Sequence, residues 1–313
     1  MSDPLVSIII PLFNKEDFIE KTLDSVVKQS YKYLELVLID DSSSDDSLMR
    51  ATRFLRQHQT RFVRVIIETR PNTGQSGARN DGILKSSGEL VAFLDADDIW
   101  HPAKISEQVH FLNLRKDLDL VLCNYFMIST SSKTPKAVKL VPIKRKIQSW
   151  FFTTGYGGLL ESTGLVRRAA LLKKGGFDTT FQMGGGLDLA FRFSIEDKVG
   201  CVNKYLCGYR VTAGGWHNDK DDLLKSYEKI FEKKFLYREY EAKCRINLQI
   251  HLGLWNARIE KSWGALWNFL LVFYRHPSYT VHYTIASLIR VTIAQIRGFF
   301  YRRKARFWIE QII

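Results

Sequence analysis

Three carboxylates follow an apolar run without a break, where Leu90-Val91-Ala92-Phe93-Leu94 leads straight into Asp95-Ala96-Asp97-Asp98. Carboxylates this close repel one another. A hard divalent cation such as Mg²⁺ or Mn²⁺ relieves the repulsion and bridges phosphate oxygens as well. A helix N-cap before Pro102 accounts for Asp98 and leaves the other two unexplained. A second acidic cluster, Asp40-Asp41-Ser42-Ser43, closes the run Leu34–Ile39. An acid there can accept hydrogen bonds from a base N–H or a ribose hydroxyl, which suits Asp40, while Asp41, Ser44 and Asp45 suit helix capping better. A third group reads Arg70-Pro71-Asn72-Thr73-Gly74-Gln75-Ser76-Gly77-Ala78-Arg79-Asn80. Its glycines permit close backbone approach and Arg79 can fork onto phosphate oxygens; ordinary turn glycines and a surface ion pair are the plainer reading. Neither Gly-x-Gly-x-x-Gly nor a Walker lysine is present, which counts against dinucleotide and ATP binding.

These groups need elements to position them. Val6–Leu12 is a β-branched run closed by Asn14, after which Phe18, Leu23, Val26 and Val27 recur near a helical period. The unit repeats as Leu34–Ile39 with Asp46–His58, and as Val63–Ile67 with a helix from about Ser76, before the strand Leu90–Leu94. Apolar strands alternating with amphipathic helices predict an α/β fold, a mostly parallel sheet covered on both faces that binds ligands beyond the strands' carboxyl ends. After Leu118–Phe126 the rhythm breaks at the polar stretch Ser129–Lys146 and resumes as shorter strands and a helix over Leu187–Glu196, a half expected to shape an acceptor site. From about Asp221 the composition turns helical, so the boundary is expected near residues 217–222, dividing the chain into 1–218 and a helical extension, 219–313.

The 313 residues, 45% hydrophobic, supply ample core, and the formal charge is +13. From Lys261 onward eight Lys/Arg face only Glu310. Trp263, Leu266, Trp267, Phe269 and Leu270 fall in an apolar stretch too short to span a bilayer, and Ile285, Leu288, Ile289, Ile293, Ile296 and Phe300 recur at helical spacing before Arg302-Arg303-Lys304. That pattern suits an amphipathic helix lying on an anionic membrane surface, or a stripe packed against the rest of the chain or a partner. A nucleic-acid-binding protein is the rival from a different class; it leaves the aspartate loop unexplained, and no nucleic-acid motif is found. Cys123, Cys201, Cys207 and Cys244 form no Cys-x-x-Cys pair and read as reduced thiols. The amino terminus shows no signal peptide, so a cytoplasmic catalytic region is expected.

In order and spacing, Val6-Ser7-Ile8-Ile9-Ile10-Pro11-Leu12-Phe13-Asn14, Ile39-Asp40-Asp41-Ser42-Ser43, Asn72–Asn80 and Phe93-Leu94-Asp95-Ala96-Asp97-Asp98 resemble family 2 glycosyltransferases. Thr163-Gly164-Leu165-Val166-Arg167-Arg168 and Gly175-Gly176-Phe177-Asp178 extend the resemblance, which covers roughly residues 5–212. It implies a GT-A fold and inverting transfer from a nucleoside-diphosphate sugar, with Mn²⁺ or Mg²⁺ as cofactor. Pro11, Asn14, Asp40, Arg79, Asp95 and Asp97 would bind the donor, Asp40 near the base and Asp95 near the ribose and diphosphate. Asp97 would hold the metal, with Asp95 and His217 as further candidates. The family analogy also implies a glycan acceptor, lipid-linked, reached from the inner face of the cell membrane.

One position departs from the resemblance. Family members carry a Glu-Asp pair after the Gly-Phe-Asp motif, whose second acid is the expected general base; here Gly185-Gly186 stands in its place. Asp188 is the candidate base, against the plainer reading of a helical charge paired with Arg192. Glu161 and His217 are alternatives, His217 equally an exposed turn residue. A transferase with an unusual base and a nucleotide-sugar-binding homologue with weak or absent transfer both remain open.

Overall fold

The computed structural model describes residues 3–129, 132–138, 160–181, 185–194, 196, 198–211 and Lys229. The expected boundary, the 219–313 extension, His217 and Cys244 lie outside the described residues.

The apolar runs at the amino-terminal end become the centre of a sheet. Strands β1 (Val6–Leu12) and β2 (Leu34–Asp40) are buried along their whole length, as parallel strands covered on both faces are. Next to them lie β3 (Arg64–Thr69), paired with β2, and β4 (Leu90–Phe93), paired with β1, all parallel. Helices α1 (Ile19–Val27), α2 (Ser47–His58) and α3 (Gln75–Lys85) connect them. Helix α1 buries Ile19, Leu23 and Val26, one face of a 3.6-residue period. One acid sits inside the sheet: Glu35 on β2 accepts from Ser7 Oγ (2.5 Å), Ser87 N (2.8 Å) and Ser87 Oγ (2.8 Å) and pairs with Arg64 (2.7 Å). Burial pushes its carboxyl up, but these donors outweigh burial and hold it below its ordinary range.

The order β3-β2-β1-β4 sends the chain from β1 to neighbours on opposite sides. The loops after β1 and β4 therefore diverge, and a crevice forms beyond the strands' carboxyl ends. Pairing of β1 with β4 ends at Ile9 and Phe93. Pro11, two residues on, faces the same side past the end of β4, so its missing N–H costs no ladder bond.

Beyond β4 the sheet continues through β8 (Leu165–Arg167), β6 (Leu120–Ser129), β9 (Val199–Val211) and β5 (Ile99–Trp100). Only β6 and β9 pair parallel here, while β4–β8, β8–β6 and β5–β9 are antiparallel. The parallel rhythm thus holds for the first four strands, and the second half is mixed. Within the polar stretch after β6 lies a further strand, β7 (Ser132–Val138), antiparallel to β6, because a two-residue connection permits only a hairpin. Helices α4 (Lys104–Leu114), α5 (Leu160–Thr163), α6 (Arg168–Lys173) and α7 (Gly185–Ser194) complete the described fold. Cys123 and Cys207 are buried, and with Cys201 they form no disulfide. Among the described residues, no helix is long and apolar enough to cross a membrane.

Candidate functional site

After β4 the chain turns through Asp95–Asp98 into β5, held from three sides. On α1, Thr22 Oγ1 donates towards the carbonyls of Ala96 (2.9 Å) and Asp98 (2.8 Å). From α5, Ser162 Oγ accepts the backbone N–H of Asp95 (3.2 Å). From β9, the Arg210 backbone N–H reaches Asp98 Oδ1 (2.8 Å) and its Nε donates to the Asp97 carbonyl (2.7 Å). Burial raises the Asp98 carboxyl well above the usual carboxylate range, with repulsion from Asp97 and Asp95 adding and Ser162 and Arg210 opposing. Asp98 therefore ties β9 to the loop. The capping role considered for it is corrected, since α4 begins only at Lys104, behind Ala103.

The other two acids diverge. Asp95 Oδ1 accepts from Arg79 Nη2 at 2.6 Å, and Asp97 Oδ2 pairs with Lys15 Nζ at 2.7 Å. Lys15 comes from the loop after β1, so this pair spans the crevice. Arg79, Lys15 and the Arg210 amide each offset part of the repulsion among these acids. Among the described residues, no group of three or more His, Cys, Asp or Glu is disposed to hold a metal. Asp97 keeps 16% of its side chain exposed and Lys15 28%. Asp95 is reachable too, at 21%, and a pair of partly exposed carboxylates suits a hard cation that draws its remaining oxygens from phosphate and water better than a resident ion caged by protein.

Arg79, in the first turns of α3, is buried and central. Its guanidinium joins Asp95 to Glu161 Oε1 (3.5 Å), receives support from Gln75 Oε1 (3.3 Å) and lies 5.3 Å from the centre of the Phe177 ring. It is no surface ion pair. Its charge is offset by two acids and a ring face, and Asp95 and Glu161 keep it protonated despite burial. Phe177 is held in turn by Asn80, which donates to its carbonyl and accepts its N–H, both at 2.8 Å. On Glu161 burial raises the carboxyl; Arg79 pulls it down and Asp95 pushes it further up.

The β2 loop is bound to both neighbours. Asp41 does not cap α2; its oxygens accept the backbone N–H groups of Thr73 (3.1 Å) and Gly74 (2.9 Å), fixing the entry to α3. Asp45 accepts from Ser47 N (3.0 Å), a capping contact at the start of α2. Asp40, at the end of β2, is buried and accepts from Ser43 N (3.3 Å). Asn14 accepts from Ser44 N (2.9 Å). Asn14 and Ser42 have φ of 49° and 64°, and Gly74 has 89°. Two non-glycine residues in the left-handed region at adjacent strand ends are the strained backbone that sites tend to collect.

A side chain at either glycine would have to displace the end of a neighbouring side chain. A Cβ on Gly185 would lie 2.5 Å from Ser76 Oγ, and one on Gly186 would fall inside the Glu161 carboxylate. Asp188 is fully buried and pairs with Arg192 Nε at 2.9 Å, and Arg192 also binds the carbonyls of Lys174 (2.5 Å) and Gly176 (2.6 Å). The structure thus joins Asp95, Asp97, Arg79 and Glu161 with Lys15, sets Asp40 at the end of β2 and Asn14 in the loop that carries Lys15, and seats Asp188 with Arg192. Lys15, Arg210 and Phe177 were not singled out in the sequence. Lys15 directly follows Asn14 in a strand-end loop and was open to inference, whereas Arg210 acts through a backbone bond across 112 positions.

The family model for glycosyl transferase family 2 matches residues 7–179. An uncharacterized glycosyltransferase of Rickettsia prowazekii is 27% identical over 231 residues, which span 73% of this chain and 70% of that protein. The UDP-Glc:alpha-D-GlcNAc-diphosphoundecaprenol beta-1,3-glucosyltransferase WfgD of Escherichia coli is 36% identical over 138 residues, 44% of this chain and 52% of that protein. Staphylococcus aureus TarS, solved in complex with UDP-GlcNAc, superposes with a TM-score of 0.62 at 16% identity, covering 86% of this chain and 79% of that one. The mannosyltransferase PcManGT of Pyrobaculum calidifontis, solved with GDP-Man and Mn²⁺, gives 0.63 at 18% identity, covering 100% and 86%. At these identities the structural likeness is one of fold, the GT-A architecture.

Proposed function

The chain belongs to glycosyl transferase family 2, and we propose that it transfers a sugar, with inversion, from a nucleoside-diphosphate donor bound at the crevice to a lipid-linked glycan. The observation that carries this reading is the pair of charged couples meeting there, Lys15 with Asp97 and Arg79 with Asp95. Lys15 lies where a leaving diphosphate would gather negative charge, and a preset cation there stabilises departure. Arg79 holds the Asp95 carboxylate in one direction, towards the ribose and diphosphate. Asp40 fixes the Ser43 turn beside the nucleobase, with Pro11 and Asn14 lining the same side. When bound with the donor, Mn²⁺ or Mg²⁺ on Asp97 would supply further charge neutralisation, with Asp95 and His217 as additional candidate ligands. A proton-accepting role for Asp188 would require it to leave Arg192, so we assign it to holding α7. A lipid-linked acceptor is supported by the activity named for the E. coli relative. Peripheral membrane attachment is supported by the sequence of the basic, aromatic stretch after Lys261 alone.

The test follows nucleoside-diphosphate release from UDP-Glc, UDP-GlcNAc and GDP-Man with Mn²⁺ and a polyprenyl-diphosphate-linked GlcNAc or membrane extract. Asp97→Ala is expected to lower release by roughly 100-fold or more. Unchanged release in Asp97→Ala would defeat the metal assignment, and donor binding without release under any acceptor condition would favour a non-transferring homologue. Flotation with anionic vesicles, abolished by truncation after Lys261, is the expected membrane result. Indifference to lipid would sink that part, and duplex binding would revive the nucleic-acid reading.

A further inference from the structure

Among the described residues, the acids around the crevice are committed at short range, with one exception. Asp95, Asp97 and Asp188 each have a cation within 2.9 Å; Asp40, Asp41 and Asp98 hold backbone N–H groups. Among the described residues, the cation Glu161 meets is Arg79, only at 3.5 Å, and that guanidinium is already bound to Asp95 at 2.6 Å. Its carboxylate also accepts from its own backbone N–H and from that of Gly186. The side chain remains 14% exposed, so a small group can reach it. It also occupies the volume that a side chain on Gly186 would take. A carboxylate brought in from α5 thus stands at the start of α7, beside the guanidinium that orients Asp95.

Resting on the transfer reading above, we propose that Glu161 is the general base, a catalytic residue supplied from α5 into the space left by Gly186. The acceptor hydroxyl gives its proton to the Glu161 carboxylate as its oxygen bonds to the anomeric carbon. The bond from that carbon to the diphosphate oxygen breaks, and the diphosphate leaves with the electron pair. Arg79 and the Gly186 N–H keep the carboxylate aimed and absorb its change of charge.

Glu161→Gln keeps shape and removes the base. In the release assay with Mn²⁺ and polyprenyl-diphosphate-linked GlcNAc, kcat should fall by roughly 10²–10⁴-fold, while UDP affinity by calorimetry stays within about threefold. Glu161→Ala should lose as much, and adding Gly186→Asp should restore activity at least about tenfold over Glu161→Ala, because the new acid enters the vacated space. A kcat for Glu161→Gln within about threefold of wild type overturns the assignment. So does a loss matched by an equal loss of UDP affinity and not rescued by the double variant, which marks Glu161 as a positioning residue for Arg79. A wild-type chain that binds UDP yet releases nothing with any acceptor overturns the transfer reading first, and this one with it.

Discussion

Replacing Arg79 with methionine keeps the length of the side chain and its contact with Phe177 but deletes the charge shared by Asp95 and Glu161. At an effective dielectric of about 20, each carboxylate at these separations attracts the guanidinium by roughly 5 kcal/mol, most of it offset by desolvation of the ions. Removing one member of such a group leaves the remaining charges buried and opposed, a loss of about 3–4 kcal/mol. For a unit of this size that corresponds to a melting midpoint lower by roughly 10 °C. The loss should depend on pH with a definite sign. Without Arg79 the pull that opposes burial at Glu161 is gone, its carboxyl stands further above its unfolded value, and stability falls as pH rises through that raised value. Thermal melts of wild type and Arg79→Met at pH 5.5 and pH 8 should show the larger gap at pH 8. A gap of under about 3 °C at both, or one that widens towards acid, refutes the shared-charge account of the site.

Lys104 is fully buried, bonded to Gln108 Oε1 at 2.8 Å with its ammonium 4.1 Å from the Trp100 ring centre, and burial lowers its pKa to about 8. Lys104→Met should therefore stabilise at pH 7 by about 1–3 kcal/mol, and the gain should shrink above pH 8 as the wild-type lysine folds uncharged, a trend denaturant melts across that range would reveal. Asn80→Ala strips both bonds from the Phe177 backbone and should cost about 2 kcal/mol in a urea titration, with weaker donor binding because the ring under Arg79 shifts. Glu35, held below its ordinary pKa, contributes stability that is complete above its unfolded value near 4.5 and lost as pH falls through the lower folded value. Glu35→Ala should cost about 3 kcal/mol at pH 7 and flatten the acid limb of the stability curve; an unchanged acid limb would show that the carboxylate is not the group responsible.

The amino-terminal half was legible because its signals are local. The runs Val6–Leu12 and Leu34–Ile39 and the Ile19, Leu23, Val26 stripe report burial through periodicity alone. The candidate site was legible as a set of loops, not as a set of contacts. Asp41 and Asp98 resemble caps because capping is the partner a sequence displays, yet their partners are amides 33 and 112 positions away. Arg79 resembles a surface ion pair until Phe177 and α5 close over it. β7 was hidden because a polar strand over Ser132–Val138 has no apolar alternation, and only its hairpin connection to β6 forces pairing. Glu161 appeared beside His217 as one alternative base; nothing in the spacing announced that its carboxylate and a side chain at 186 would compete for one volume.

That competition also restricts how such a chain can change. A carboxylate gained at 186 while Glu161 is present must turn that flexible side chain aside and sets two like charges together, whereas Glu161 shortened first leaves a vacancy that local relaxation can partly fill. The two orders of substitution are therefore unequal in cost. A change at either position is thus felt at the other, so the two are expected to vary as a pair.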